Sequence, residues 1–385
     1  MIAGEPSGDV LGGRLMAALK AGSDRPPSFT GIGGERMIAE GLESLFDMQE
    51  LSVMGYLEVI PKIPGLLARM RETAEAIRRS RPDVVITIDS PDFNFRVARK
   101  LKGLGIPIIH YVAPQVWAHR AGRAAKVGDY LDHILALLPF EPPLFEAHGL
   151  PCTYVGHPIV EEGADKGDGP AFRRRHGIPA DAPLIATLPG SRRGEVARHL
   201  PIFGAALGRL ATDRPGIRAV VPTVAAVADE VARGTADWPV ETLVVTGVEE
   251  KYHALAAADA GLAASGTVAL ELAIAGLPMV IAYKTNALTA WAARRMILVD
   301  YICLVNLVLD EAAVPEFIQQ RCRPDLLSRA VAALLDDPEA RSVQVEASRR
   351  AVDMLGLGEL RRGGASPSEL AAAVVLEVIA DTNLR

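Results

Sequence analysis

Apolar, β-branched runs alternate along this chain with amphipathic stretches, and polar loops containing glycine stand where one gives way to the other. Val84-Val85-Ile86-Thr87-Ile88 is close to a continuous apolar run, the pattern of a strand covered on both faces. Residues 106–112 and 134–138 repeat the pattern, and residues 29–32 form a shorter version that ends at Gly33-Gly34. In the second half, strands are predicted at 184–188, 219–222, 242–246, 260–264 and 279–282, with helices between them. Residues 10–20 read as a helix that Asp9 is placed to cap. This alternation predicts parallel, doubly wound α/β sheets, which collect their ligands at the carboxyl ends of strands.

The alternation runs twice through 385 residues, a length that suits two α/β domains. Residues 156–170, rich in Gly, Asp and Pro, read as a hinge, and residues 356–364 as a glycine- and arginine-rich connector. The expected division is a first domain at 1–160, a second at 161–355, and a tail at 356–385 that crosses back to the first. A capping box, Ser366-x-x-Glu369, opens the last helix, with Leu370, Val374 and Val378 on one stripe. Only three residues precede Gly4, against about five or six in an ordinary internal strand. Either the first strand is a stub or the chain begins upstream of Met1.

Composition narrows the function classes. Hydrophobic residues make up 49% and charged ones 23%, a globular balance. The net charge is −6 and no long basic tract is present, which argues against nucleic acid as a partner. Cys152, Cys303 and Cys322 lack C-x-x-C spacing, which argues against zinc and disulfides and for a reducing compartment. No window reaches the ~18 to 20 apolar residues of a spanning helix, and no signal-peptide pattern opens the chain. A soluble protein, or one seated on a membrane surface, is expected.

Two loops carry most of the candidate chemistry. Glu5, Ser7 and Asp9 occupy a strand-to-helix loop relieved by Gly4 and Gly8, suited to hydroxyl or phosphate recognition or to a solvated turn. Ser191, Arg192 and Arg193 follow Pro189-Gly190 at a helix start, where N–H groups, dipole and guanidinium together suit an anion, unless the arginines are ordinary surface charges. Asp89 ends the apolar run before Ser90-Pro91-Asp92-Phe93-Asn94; it either takes a proton from a hydroxyl or caps the next helix. In Ser265-Gly266-Thr267-Val268-Ala269-Leu270-Glu271, small residues admit a ligand to the backbone. Glu271 lies one turn beyond Thr267, placed to accept vicinal ribose hydroxyls or to make a buried contact. Gly31-Ile32-Gly33-Gly34 lacks the third glycine of a dinucleotide fingerprint because Arg36 stands there, and no Walker A pattern exists. Asp89-x-x-Asp92 offers a divalent metal two carboxylates without further ligands, and His110, His119 and His157 lack metal-ligand spacing, so no cofactor is expected; without a G-x-S-x-G elbow, hydrolase readings fall away.

One further stretch is amphipathic. Val59, Ile60, Ile63, Leu66, Leu67 and Met70 recur at near-helical spacing, with Lys62, Arg69 and Arg71 beside them. They form either a surface that dips into an anionic membrane or receives acyl chains, or an ordinary core-facing helix.

These residues resemble those of a known family, the lipid-A-disaccharide synthases (glycosyltransferase family 19, GT-B architecture). The likeness spans nearly the whole chain and rests on an ordered set of motifs: Ala3-Gly4-Glu5-Pro6-Ser7-Gly8-Asp9, Val53-Met54-Gly55-x-x-Glu58-Val59, Ile88-Asp89-Ser90-Pro91-Asp92-Phe93-Asn94 and His110-Tyr111-Val112-Ala113-Pro114-Gln115-Val116-Trp117-Ala118. It continues through Leu138-Pro139-Phe140-Glu141, Val155-Gly156-His157-Pro158, Leu188-Pro189-Gly190-Ser191-Arg192, Ala264-Ser265-Gly266-Thr267-x-x-x-Glu271 and Asn306-Leu307. His119 and Val305 depart from the family's pattern. The resemblance implies two Rossmann-like domains facing across a cleft. It implies metal-independent, inverting transfer of diacylglucosamine from UDP-2,3-diacylglucosamine to 2,3-diacylglucosamine 1-phosphate, giving the β(1→6) disaccharide of lipid A and UDP. Asp89 is then the candidate base on the acceptor 6-hydroxyl, with Glu5 and Ser7 beside it. Ser191, Arg192, Gly266, Thr267, Glu271 and Asn306 are the candidates for holding UDP. The stretch from Val59 to Met70 becomes a membrane- or acyl-contacting surface, and the enzyme is expected on the cytoplasmic face of the inner membrane of a Gram-negative bacterium. The rival readings are a GT-B enzyme acting on UDP-N-acetylglucosamine and a non-catalytic UDP-lipid binder.

Overall fold

A computed structural model describes residues 1–51, 63–117, 123–286 and 299–383. The chain divides into two compact units, one of Met1–Pro158 with Glu359–Arg385 and one of Ile159–Gly358.

The first unit holds β1 (Ile2–Ala3), β2 (Phe29–Gly31), β3 (Leu42–Ser44), β4 (Val85–Ile88), β5 (Ile108–Tyr111), β6 (His133–Ala136) and β7 (Cys152–Tyr154). Its five-stranded sheet runs β1-β4-β5-β6-β7, all parallel. β2 and β3 pair parallel beside it, joined to β1 through a single bridge between Ile2 and Ile32. β1 is a stub of two residues, yet Ala3 N donates to Ile32 O at 2.9 Å and Ile32 N to Met1 O at 2.9 Å, which anchors it on that side. The order of strands reverses between β1 and β4. Doubly wound sheets bind ligands at that position, because the crossovers leave in opposite directions and open a crevice.

Two local expectations change. The first helix starts at Pro6, not at residue 10, and runs to Gly22. Asp9 therefore lies inside it and caps a different helix, Glu35–Ala39, by accepting from the N–H groups of Gly34 (2.7 Å), Arg36 (2.9 Å) and Met37 (3.1 Å). Gly34 permits the approach, since a Cβ there would stand 2.7 Å from Asp9 Oδ2. In the last helix, Pro367–Asn383, the capping box forms as expected: Ser366 N donates to Glu369 Oε2 at 2.7 Å and Glu369 N to Ser366 Oγ at 3.2 Å. The buried stripe is not led by Leu370, however, which is exposed. Val374 and Val378 do pack, partly buried, against the core of the first unit, and Ala371, Ala372 and Val375 are buried in it, where the helix meets Pro6–Gly22.

The second unit holds β8 (Leu184–Leu188), β9 (Arg218–Thr223), β10 (Glu241–Thr246), β11 (Ala260–Ala264), β12 (Met279–Tyr283) and β13 (Glu316–Ile318). They form one parallel sheet in the order β10-β9-β8-β11-β12-β13, so the reversal falls between β8 and β11. All five residues of β8 and of β11 are buried, as a strand covered by helices on both faces requires. The core includes Ile185, Phe203, Leu207, Leu262, Val280 and Leu327. Among the described residues, no helix is long and apolar enough to cross a membrane.

Candidate active site

In the first unit, the loops leaving β1 and β4 lie side by side because Ala3 and Ile88 are register partners. Their contact is close enough to require glycine: a Cβ on Gly4 would stand 2.7 Å from Ser90 Oγ. Asp89 and Ser90 both adopt left-handed backbone angles, φ 48° and 42°, which ordinarily cost about 1–2 kcal/mol per non-glycine residue. The buried Asn94 side chain holds this kink, its Nδ2 donating to Ile88 O at 3.1 Å and to Asp89 O at 2.7 Å. The helix Pro91–Leu101 begins at Ser90 without a side-chain cap, so the capping role open to Asp89 is not the one it has. Burial pushes the Asp89 carboxyl above the usual carboxylate range, opposed by a hydrogen bond from the backbone of Ser90. A left-handed backbone at a half-buried carboxylate, at a switch point, makes Asp89 a candidate reactive group. Glu5 and Ser7, on the neighbouring loop, are exposed at the start of Pro6–Gly22.

The loops at the next two strand ends are tied to each other. Val112, directly after β5, has φ 80°, a rare angle for a β-branched residue. Glu141, after β6, is buried and accepts from Trp117 Nε1 (3.0 Å), Leu137 N (3.2 Å) and Leu138 N (2.9 Å). Burial pushes its carboxyl up to about 7 even against these three donors. Trp117 in turn meets Phe140 edge-on, with centroids 5.5 Å apart. Glu141 thus ties the loop after β5 to the loop after β6. Its motif is visible in the sequence, but nothing there indicates this role.

In the second unit, Leu188 of β8 and Ala263 of β11 are register partners, so the loops carrying Ser191-Arg192 and Gly266-Thr267 emerge together at the switch point. Gly190 has φ 118°, and a Cβ there would meet Glu195 Oε2 at 2.7 Å. That turn presents Ser191 and Arg192, both exposed, at the start of the 21-residue helix Arg193–Asp213. Arg192 Nη1 lies 3.3 Å from Glu195 Oε1, and Arg193 pairs with Glu230 at 3.1 Å. Sequence reasoning missed His199. It is fully buried on this helix, its Nδ1 donates to Pro189 O at 2.8 Å, and its Nε2 accepts from Lys284 N at 3.0 Å. Those partners require the neutral ring, in keeping with a pKa lowered chiefly by burial. His199 therefore links the loop after β8 to the loop after β12. A histidine on an apolar helical face gives no sequence signal that distinguishes it from core.

Gly266 and Thr267 are exposed in their loop, whereas Glu271 is buried and pairs with Lys251 Nζ through Oε1 at 2.6 Å. Asn306 changes role. It is 1% exposed, its Nδ2 donates to Val314 O and Glu316 Oε1, each at 2.8 Å, and its Oδ1 accepts from Val314 N at 2.8 Å. Both amide hydrogens are spent, so it braces the segment before β13 and has no N–H left for a ligand. Glu316 completes that brace by accepting from Ile302 N and Cys303 N, each at 3.0 Å.

Of the amphipathic stretch, Val59 and Ile60 lie outside the described residues. The helix Ile63–Ser80 begins within it. Ile63 and Leu67, one turn apart, are 42% and 37% exposed, and Leu66 is half-buried. Met70 is instead buried in the core of the first unit, so it does not belong to an outward surface. Arg69 is also committed: it is bidentate to Glu50 at 2.8 and 2.7 Å and lies over the Phe46 ring.

The family profile described as "Lipid-A-disaccharide synthetase" matches residues 1–364. The chain belongs to the lipid-A-disaccharide synthase family. A "Lipid-A-disaccharide synthase" of Rhodospirillum centenum is 53% identical over 381 residues, covering 98% of this chain and 94% of that protein. Solved structures extend the likeness at the level of fold. A UDP-GlcNAc 2-epimerase from Neisseria meningitidis bound to UDP-GlcNAc superposes with a TM-score of 0.60 at 12% identity, covering 91% of this chain and 96% of its own. The calicheamicin glycosyltransferase does so with 0.59 at 17%, covering 98% and 96%. Two Rossmann-like units of the GT-B type are thus the architecture on which this lipid-A-disaccharide synthase family member builds its loops.

Proposed function

We infer that this chain is the glycosyltransferase of lipid A disaccharide synthesis and that the two sets of switch-point loops divide the reaction between them. The enzyme joins the sugar of a UDP-diacylglucosamine donor to diacylglucosamine 1-phosphate. Asp89 takes the proton of the acceptor 6-hydroxyl as that oxygen bonds to the donor's anomeric carbon. The carbon–oxygen bond to UDP breaks, UDP leaves with the electron pair, and the α-linked donor becomes a β-linked product. Negative charge grows on the diphosphate as it departs. Arg192, Ser191 and the N–H groups that open the helix Arg193–Asp213 stabilise that charge, which is where preorganised donors contribute most. Gly266, Thr267 and Glu271 serve the nucleoside end, and Glu5 and Ser7 the acceptor side.

The observation that carries this reading is the left-handed, half-buried Asp89 held by Asn94 at the β1–β4 switch point. It favours Asp89 over Glu5 as the base, because a carboxylate of raised pKa is the better proton acceptor and Glu5 is exposed. The test is turnover with UDP-2,3-diacylglucosamine against UDP-N-acetylglucosamine. Transfer from the diacylated donor alone is expected; consumption of UDP-N-acetylglucosamine alone would establish the rival activity.

The acylated substrates reside in a membrane, and Ile63 and Leu67 offer adjacent exposed apolar side chains at one end of a helix. Peripheral attachment to the cytoplasmic face of the inner membrane follows, with this pair inserted. Replacing both by serine forfeits roughly 1.5–3 kcal/mol for each side chain fully buried in lipid, so sedimentation with anionic phospholipid vesicles should fall at least about tenfold. Undiminished binding would place the contact elsewhere.

A further inference from the structure

Glu271 poses a chemical problem. It is 9% exposed, and burial pushes its carboxyl toward the neutral form, with the like charge of Glu162 adding to the effect. A neutral carboxylic acid carries a proton of its own and cannot accept hydrogen bonds from two vicinal hydroxyls as a carboxylate can. The opposing influence is Lys251, on the helix Val248–Ala257, whose Nζ stands 2.6 Å from Oε1. The adjacent Tyr252 does not compete for Glu271, because its hydroxyl donates to Glu162 Oε2 at 3.0 Å. Among the described residues, no hydrogen bond reaches Glu271 Oε2, so Lys251 engages one oxygen and leaves the other. Glu271 itself lies one helical turn from the exposed Gly266-Thr267 loop at the end of β11.

We infer that Lys251 is a positioning residue that keeps Glu271 ionised and fixed through Oε1, so that the site selects a ribonucleoside diphosphate over its 2′-deoxy counterpart. The inference rests on the assignment of Glu271 to the nucleoside end. Lys251 acts through the carboxylate, and its loss should affect sugar discrimination more than diphosphate grip, which belongs to the loop after β8. A purely structural ion pair would weaken both nucleotides equally when broken.

The experiment is calorimetric titration of the full chain with UDP and with 2′-deoxy-UDP. A hydrogen bond to a charged acceptor corresponds to at least about tenfold in affinity, so the wild type should prefer UDP by that factor. Lys251→Met and Lys251→Gln should bring the ratio to within about twofold, and Lys251→Arg should restore it. Both ligands are titrated into the same preparation, so any misfolded fraction cancels from the ratio. Glu271→Gln separates the two ideas. If it abolishes the preference while Lys251→Met and Lys251→Gln retain it, the role of Lys251 is overturned and that of Glu271 stands. If Glu271→Gln itself keeps the preference, or the wild type shows none, the ribose assignment falls and the inference with it.

Discussion

Asp89→Asn should lower kcat by about 10²- to 10⁴-fold, the usual contribution of a positioned general base, while leaving affinity for UDP near that of the wild type. The substitution is close to isosteric, and the Asn94 bonds that hold the kink go to the backbone oxygens of residues 88 and 89, which remain. A side-chain oxygen also remains to accept from the backbone of Ser90. The variant should therefore fold, and what it loses is proton-accepting capacity. The pH profile provides a second readout. Burial holds the Asp89 pKa above the ordinary carboxylate range, and only the ionised form accepts the proton. The wild-type rate should accordingly drop as pH falls through that raised value, with an acid limb higher than a solvent-exposed aspartate would give. The residual activity of Asp89→Asn should lack that limb. A non-catalytic UDP-lipid binder would keep its cellular role after this change, so loss of complementation also separates the two classes.

Arg192→Met should cost about 10²- to 10³-fold in kcat/KM, the range found when one donor to a developing anion is removed. Arg192 is more exposed than Asp89 and its resting partner, Glu195 at 3.3 Å, is weakly held, so the guanidinium can exchange that carboxylate for a diphosphate. Such an exchange gains because the phosphate oxygens are more highly charged and accept a bidentate fork. A lysine at this position would be a poorer substitute than its charge alone suggests, so Arg192→Lys should recover only part of the loss. Steady-state kinetics with varied donor checks this; unchanged kcat/KM in Arg192→Met would remove Arg192 from the site.

The parts of this molecule legible in its sequence are those whose causes are local. The run before Asp89 and the five-residue strands β8 and β11 announce themselves because burial on both faces demands a nearly continuous apolar run. The loops that follow them are visible for the converse reason: polar and glycine residues interrupt the run abruptly. β3, β7 and β13 escape notice because three residues establish little pattern of their own; β2, equally short, is visible because Gly33-Gly34 follows it. Asp9 points to the wrong helix because capping rules look at neighbours in the chain, whereas its three N–H partners lie 25 to 28 residues away. Asn306 and Met70 illustrate the same limit at the site. Their chemistry is legible, but whether an amide or a thioether faces a ligand or the interior depends on which distant groups engage it. The left-handed angles of Asp89 and Ser90 have no glycine to signal them; they arise from the Asn94 clamp and from Gly4 pressed against Ser90. His199, Glu141 and Lys251 share that character, each acting through a tertiary contact that composition and spacing do not encode.

The most direct test of the division of labour is a paired measurement on Asp89→Asn and Arg192→Met: the dissociation constant of UDP by calorimetry and the single-turnover rate with saturating diacyl donor and acceptor. Asp89→Asn should bind UDP like the wild type and fail at the chemical step, whereas Arg192→Met should bind UDP at least about tenfold more weakly. If Asp89→Asn turned over at the wild-type rate, or if both variants lost UDP binding alike with no separate chemical defect, the assignment of proton transfer to one set of loops and diphosphate stabilisation to the other would be contradicted.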